Sequence, residues 1–218
     1  MSTVTERFAP DLDAAARERL DELVREVRAA PSIISTRFPA AARQVARGVA
    51  DPADPDGVCG PRLEDQVRIV LLAAAAEAST DPDLLRQEIG ALYRFGDADE
   101  KRAVLRALSV LDTGPELLPL VDDALRTNDI RLIAAALDGY GARHLPADAW
   151  RQGVLKCLFV GVPLAAVSML DERADAELAR MVADFCHERS VAGRTPPPDA
   201  WKVLDRFPDI AAATPSRG

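Results

Sequence analysis

The stretch Asp97–Leu108 reads DADEKRAVLRAL, and Thr127–Leu137 reads TNDIRLIAAAL. Both follow the same order of acid, base and aliphatic run, about 30 residues apart, within the range of helical repeat units. Asp97 with Glu100 three residues on is an acidic helix cap. Asp81-Pro82 and Gly114-Pro115 open helices before and between the two stretches, and Pro146 sits at the start of another. Helix starts near 82, 98, 115, 129 and 147 are therefore spaced roughly 14 to 18 residues apart, so that pairs of helices make one repeat. This spacing predicts an all-α fold, an irregular HEAT-like α-solenoid or helical array of about nine to eleven short helices.

Composition agrees with that reading. The chain of 218 residues is 48% hydrophobic and 28% charged but only 5% aromatic, with alanine runs such as Ala73–Ala76. Such a composition is globular and neither disordered nor fibrous, and alanine, leucine, arginine and glutamate favour helix. The net charge of −8 argues against a general phosphate-binding surface, so no nucleic-acid partner is expected. Lysine is scarce (Lys101, Lys156, Lys202), and Asn128 is the only asparagine.

Along the chain, residues 1–50 form an N-terminal helical segment, with helices over Asp11–Ala30 and Ile33–Val49, the second carrying Pro39. Residues 51–61 (DPADPDGVCGP) are too rich in proline and glycine for a regular element, and read as a mobile loop or subdomain seam. Residues 62–207 are the helical-repeat domain, beginning with a helix over Arg62–Ala78 and ending with helices over Arg173–Val191 and Asp199–Phe207. Residues 208–218 are expected to be a disordered tail on one continuous domain. The segment Gly153–Leu170 is long enough to invite comparison with a membrane span. Lys156 inside it, and the break at Gly161-Val162-Pro163, make it a buried helical hairpin with no membrane insertion. The first residues carry no basic stretch followed by an apolar one, and Cys59, Cys157 and Cys186 lie in no paired motif. A cytoplasmic protein with reduced thiols is expected.

No phosphate-binding loop, dinucleotide fingerprint, nucleophile elbow or zinc-helix motif is present, and His144 and His187 have no ligand-like spacing. Neither a metal nor a cofactor is expected. Individual residues carry more. Trp150–Gly161 is apolar in nearly every direction, which marks an interior helix, save for a polar wedge of Gln152 and Lys156 one turn apart. A buried ammonium needs a partner; Asp171 across the Gly161–Pro163 corner could supply one, or Lys156 could meet a ligand anion. Arg189 falls on the apolar face of its helix and can snorkel or cap the last carbonyls, while His187 and Asp184 are placed to pair. Asp171 and Arg173 form a charged turn, and Arg126 with Asn128 another, where Asn128 is a natural N-cap.

The segments Arg126–Asn128, Ala149–Leu164 (AWRQGVLKCLFVGVPL), Leu170–Arg173, His187–Arg189 and Ala192–Arg194, with Leu92–Arg94 and Leu105–Leu108 upstream, resemble the EboA family. The resemblance covers about residues 90 to 207, and its specific part is the Trp150–Gly161 run. Gly141–His144 and Trp150-Arg151-Gln152 depart from the family's usual corner, and the arginine and alanine content resembles its high-GC bacterial form. The resemblance implies a setting among genes for a UbiA-type prenyltransferase, a TatD-like hydrolase and a sugar-phosphate-cyclase-like enzyme, clusters that make or move a small molecule.

Together these readings lead to a non-catalytic accessory, scaffold or ligand-binding protein of specialised metabolism. It would hold a pathway enzyme or small metabolite through Arg126, Asn128, Trp150, Lys156, Asp171, Arg173, His187 and Arg189. The alternative is an isomerase or lyase acting on a phosphorylated or cyclitol-like intermediate, with Lys156 or His187 as acid/base and the arginines on the anion. A peripheral membrane partner is a third reading, against which the net charge of −8 argues for anionic lipid.

Overall fold

The computed structural model describes residues 11–111 and 113–214. Residues 1–10, on which the expectation about a leader rests, and the last four of the expected tail lie outside these. Every regular element among the described residues is helical. In chain order the helices are α1 (Ala14–Ala29), α2 (Ile34–Gln44), α3 (Leu63–Ala78), α4 (Pro82–Phe95), α5 (Ala98–Leu108), α6 (Leu118–Arg126) and α7 (Ile130–Ala136). They continue with α8 (Gly139–His144), α9 (Ala147–Val160), α10 (Leu170–Arg173), α11 (Ala176–Val191), α12 (Trp201–Leu204) and α13 (Pro208–Ala211). The single-turn helices α10, α12 and α13 account for the excess over the expected number, and α13 lies within the segment read as a disordered tail.

Alternate helices pack in a row: α3 on α5, α5 on α7, α7 on α9 and α9 on α11. Between them α4 leans on α5 and α6 on α7, while α1 and α2 cover α3. The row is possible because its members are small-faced. Val67 to Ala75 is buried without interruption, and alanines Ala73–Ala75 and Ala134–Ala136 let helix axes approach closely. Gly153 serves the same purpose between α9 and α7, since a Cβ there would lie 2.8 Å from Leu137 Cδ2. A single buried cluster runs from Leu20 to Leu204.

The caps explain the boundaries. Asp81 accepts from Asp83 and Leu84 backbone N–H ahead of Pro82, and Asp97 and Glu100 close a reciprocal capping box. The cap of α7 is Asp129, which accepts from the Arg131 N–H, and not Asn128 as the sequence suggested. Between the expected starts near 129 and 147 there are two helices instead of one, because the Asp138 carboxylate takes the Gly139 N–H and restarts the chain as α8. Asp175 likewise starts α11 at Ala176, leaving α10 as a separate turn. The chain turns after α9 as expected, with Gly161 at φ 84°, a left-handed position that favours glycine, and Pro163 behind it. Only the short 3-10 turn Leu164–Ala166 follows, however, so the second arm of the expected buried hairpin does not form.

The proline-rich loop is not loosely held. Asp54 accepts backbone N–H bonds from Val58, Cys59 and Gly60 at 2.8–2.9 Å, and Arg106 Nη2 donates to the Gly57 and Val58 carbonyls at 3.0 and 2.9 Å. Beneath it lies a set of buried charges unforeseen in the sequence: Glu64, Asp65 and Arg68 on α3, Arg102 and Arg106 on α5. No helix among the described residues is long and apolar enough to cross a membrane.

Candidate functional site

Helices α9 and α11 run side by side in the same direction. Arg151 near the start of α9 clasps Asp175 at the start of α11, Nε to Oδ1 at 3.0 Å and Nη2 to Oδ2 at 2.6 Å. Further along, the rings of Phe159 and Phe185 meet at a tilt of 55° with centroids 6.4 Å apart. Between the helices, and lined also by Asn128 and Arg194, lies an open groove of about 800 Å³. Its α9 wall is Gln152, Leu155, Lys156, Phe159 and Val160; its α11 wall is Met181, Asp184, Phe185, Glu188 and Arg189. This size lies in the range of small-molecule sites, which are characteristically apolar with a few placed polar groups.

Lys156 is bound within the fold. Its Nζ donates to the carbonyls of Leu125 and Thr127, both at 2.7 Å. These are orphan acceptors at the C-terminal end of α6, where a cation is favoured by the helix dipole. The Asp171 partner suggested by the sequence is engaged elsewhere, by Arg206 Nη1 at 2.8 Å. The helix around Lys156 is also not interior on all sides: Phe159 is 74% exposed, at the mouth of the groove.

Arg189 lines the groove from α11. Its Nε donates to the Thr195 carbonyl at 3.1 Å, and its guanidinium carbon stands 5.6 Å from the Phe185 ring centroid. That bond ties the chain beyond the helix back to α11, as an end-of-helix arginine does. His187 is exposed and forms no pair with Asp184 among the described residues.

The remaining sequence candidates lie outside the groove. Trp150 is 1% exposed beneath the Arg173 guanidinium, 4.8 Å from its ring centroid. Arg173 itself donates to the Ala142 carbonyl and, at 2.8 Å, to that of Leu145, capping α8. Burial, with Arg151 nearby, pulls the Arg173 guanidinium below its ordinary pKa. Arg126 is exposed and meets Asp123 at 3.4 Å. Of the eight candidates, the groove gathers Asn128, Lys156 and Arg189; Arg126, Trp150, Asp171, Arg173 and His187 are not among its lining residues.

Phe159, Phe185 and Arg194 were not singled out by sequence reasoning. The available signal was the Gln152–Lys156 wedge, because a polar pair one turn apart marks the face of α9 that meets the groove. Below that face Cys157 is buried, and burial pushes its thiol up to about 12 against the opposing charge of Lys156. His144 packs on Tyr140, ring centroids 4.6 Å apart, and no group of three His, Cys, Asp or Glu side chains suited to a metal occurs among the described residues.

No curated protein and no solved structure matches the chain. A family model does: the one described as metabolite traffic protein EboA matches residues 60–205, a span that contains α3 to α12 and the whole groove, and the chain therefore belongs to the EboA family.

Proposed function

We propose that this chain is a non-catalytic accessory protein of metabolite traffic that holds a small molecule in the groove between α9 and α11. The observation that carries the reading is the groove itself, about 800 Å³, walled by Leu155, Phe159, Met181 and Phe185, and lying inside the family-matched span. The state of Lys156 supports it: an ammonium committed to two backbone carbonyls serves α6 and is poorly placed to shuttle protons. The serial packing of α3, α5, α7, α9 and α11 supports a helical-repeat scaffold that presents this surface to a ligand or to a cytoplasmic pathway enzyme.

The test is mass spectrometry of protein purified under native conditions from a producing cell. A small molecule retained by the wild-type chain and lost from Phe159→Asp is the expected result. Turnover of a pathway intermediate by the purified chain, abolished in Lys156→Met, would overturn the reading in favour of an enzyme.

A further inference from the structure

Arginines on the neighbouring elements are spoken for: Arg151 is clasped by Asp175, Arg180 by Glu177, Arg206 by Asp171, and Arg173 by the carbonyls that end α8. Two arginines line the groove, Arg194, which is exposed, and Arg189, which differs from the rest. It is half-buried, with Asp184 and Glu188 on its own helix, yet it makes no ion pair among the described residues. A single bond from Nε to the Thr195 carbonyl and the Phe185 ring hold its plane in place, and its terminal N–H fork makes no hydrogen bond among the described residues. A planar fork fixed in this way matches a carboxylate or phosphate through paired N–H···O bonds.

The surroundings favour the same charge. Lys156, Arg189 and Arg194 line the groove against Asp184 and Glu188, a positive balance in a chain whose net charge is −8. Both carboxylates and Arg194 are exposed, whereas Lys156 and Arg189 are half-buried, so the less hydrated charges of the groove are cationic. Lys156 has an N–H beyond those given to Leu125 and Thr127. Beside these cations stand the paired rings of Phe159 and Phe185, which offer an apolar wall.

We infer that the groove takes an amphipathic organic anion, its carboxylate or phosphate seated on Arg189 and its apolar body laid against Phe159 and Phe185. This rests on the groove being the binding site, and it adds the chemical class of the ligand. A wholly apolar molecule would leave the Arg189 fork without a partner, and a bare inorganic anion would leave the aromatic wall empty.

The experiment is calorimetric titration of the full chain with decanoate, decyl phosphate, decanol and inorganic phosphate, all below their aggregation limits. Decanoate or decyl phosphate should bind about tenfold or more tighter than decanol, as one charge-assisted contact allows, and inorganic phosphate should bind far more weakly than either. The tighter of the two decyl anions identifies the headgroup. Arg189→Gln should bring both anions down to the level of decanol while leaving decanol unchanged, and Phe159→Ala should weaken all three decyl probes. Arg189→Gln retaining full anion affinity, or decanol binding as well as decanoate, would overturn the anion seat while leaving the groove as the site. Failure of every decyl probe to bind would overturn the groove reading and the anion seat together. The unfolding midpoint of each variant, compared with wild type, separates lost binding from lost folding.

Discussion

Arg102 and Asp65 meet inside the molecule as a two-pronged pair, Nε to Oδ2 at 2.7 Å and Nη2 to Oδ1 at 3.0 Å, and both side chains are 0% exposed. Arg102 Nη1 also donates to Asp99 at 2.7 Å, so one guanidinium ties α3 to the start of α5. Such a pair gains from its own attraction roughly what its desolvation costs, but either partner alone is a buried charge. Arg102→Leu should therefore lower unfolding stability by about 3–5 kcal/mol in urea titration. The double change Arg102→Leu with Asp65→Leu should recover most of that loss. A single variant as stable as wild type would show that α3 and α5 hold together without the pair.

Acid should act through the same region. In Glu64 burial opposes the charge, but the Gly48 N–H and Arg62 outweigh it and hold the carboxyl below its usual range. Asp99 is held low against burial by Arg102 and Arg131, and Asp129 against burial by Arg131. A carboxylate whose folded pKa lies below its unfolded pKa binds its proton first in the unfolded chain, so stability rises with pH through that window. The contribution is complete above the ordinary carboxylate pKa of about 4 and disappears as pH falls through the folded values. The urea midpoint should be flat near neutrality and fall steeply below about pH 4. Asp99→Asn should flatten that fall; an unchanged slope would remove Asp99 from the account.

The sequence made local features legible and long-range ones not. Asp81-Pro82, Asp97 with Glu100, and Gly161-Val162-Pro163 announce their boundaries because capping and chain reversal are decided within a few residues. Asn128 misled because Asp129 beside it is an equally good cap, and the choice falls to whichever side chain the packing of α7 presents. Arg102 and Arg106 carry no local mark of burial, since their partners Asp65 and the Gly57–Val58 carbonyls lie 37 and 48–49 residues away. The candidate site was half legible. Lys156 stood out as a charge in an apolar helix, but Phe159 did not, because an apolar side chain looks the same whether it meets the core or an open groove.

The three cysteines should separate by reactivity. Cys157 and Cys186 are buried, and burial raises both thiols, that of Cys157 to about 12. Cys59 lies exposed in the Asp54-anchored loop, its thiol raised by partial burial and then by the Asp54 charge. Thiolate is the reactive form, so titration with a disulfide reagent at mildly alkaline pH should modify Cys59 alone, and more slowly than a free cysteine. The other two should react only after urea is added. Cys59→Ser should abolish the early phase; if it persists, α9 or α11 opens in the native state.

Lys156 offers the sharpest division between a structural residue and a reactive one. Its ammonium bridges the Leu125 and Thr127 carbonyls, and Thr127 in turn bonds the Ala124 carbonyl through its hydroxyl, so the end of α6 is organised around one side chain. Lys156→Met keeps the apolar stem and removes the donors, leaving two part-buried carbonyls without that partner. The expected loss is about 1–3 kcal/mol, the usual cost of stranding buried acceptors, together with faster hydrogen exchange at the α6–α7 corner. A lysine kept for chemistry would behave in the opposite way, with stability unchanged and an activity lost. Unfolding in urea and amide exchange at Arg126 to Asp129, measured on the same variant, decide between the two.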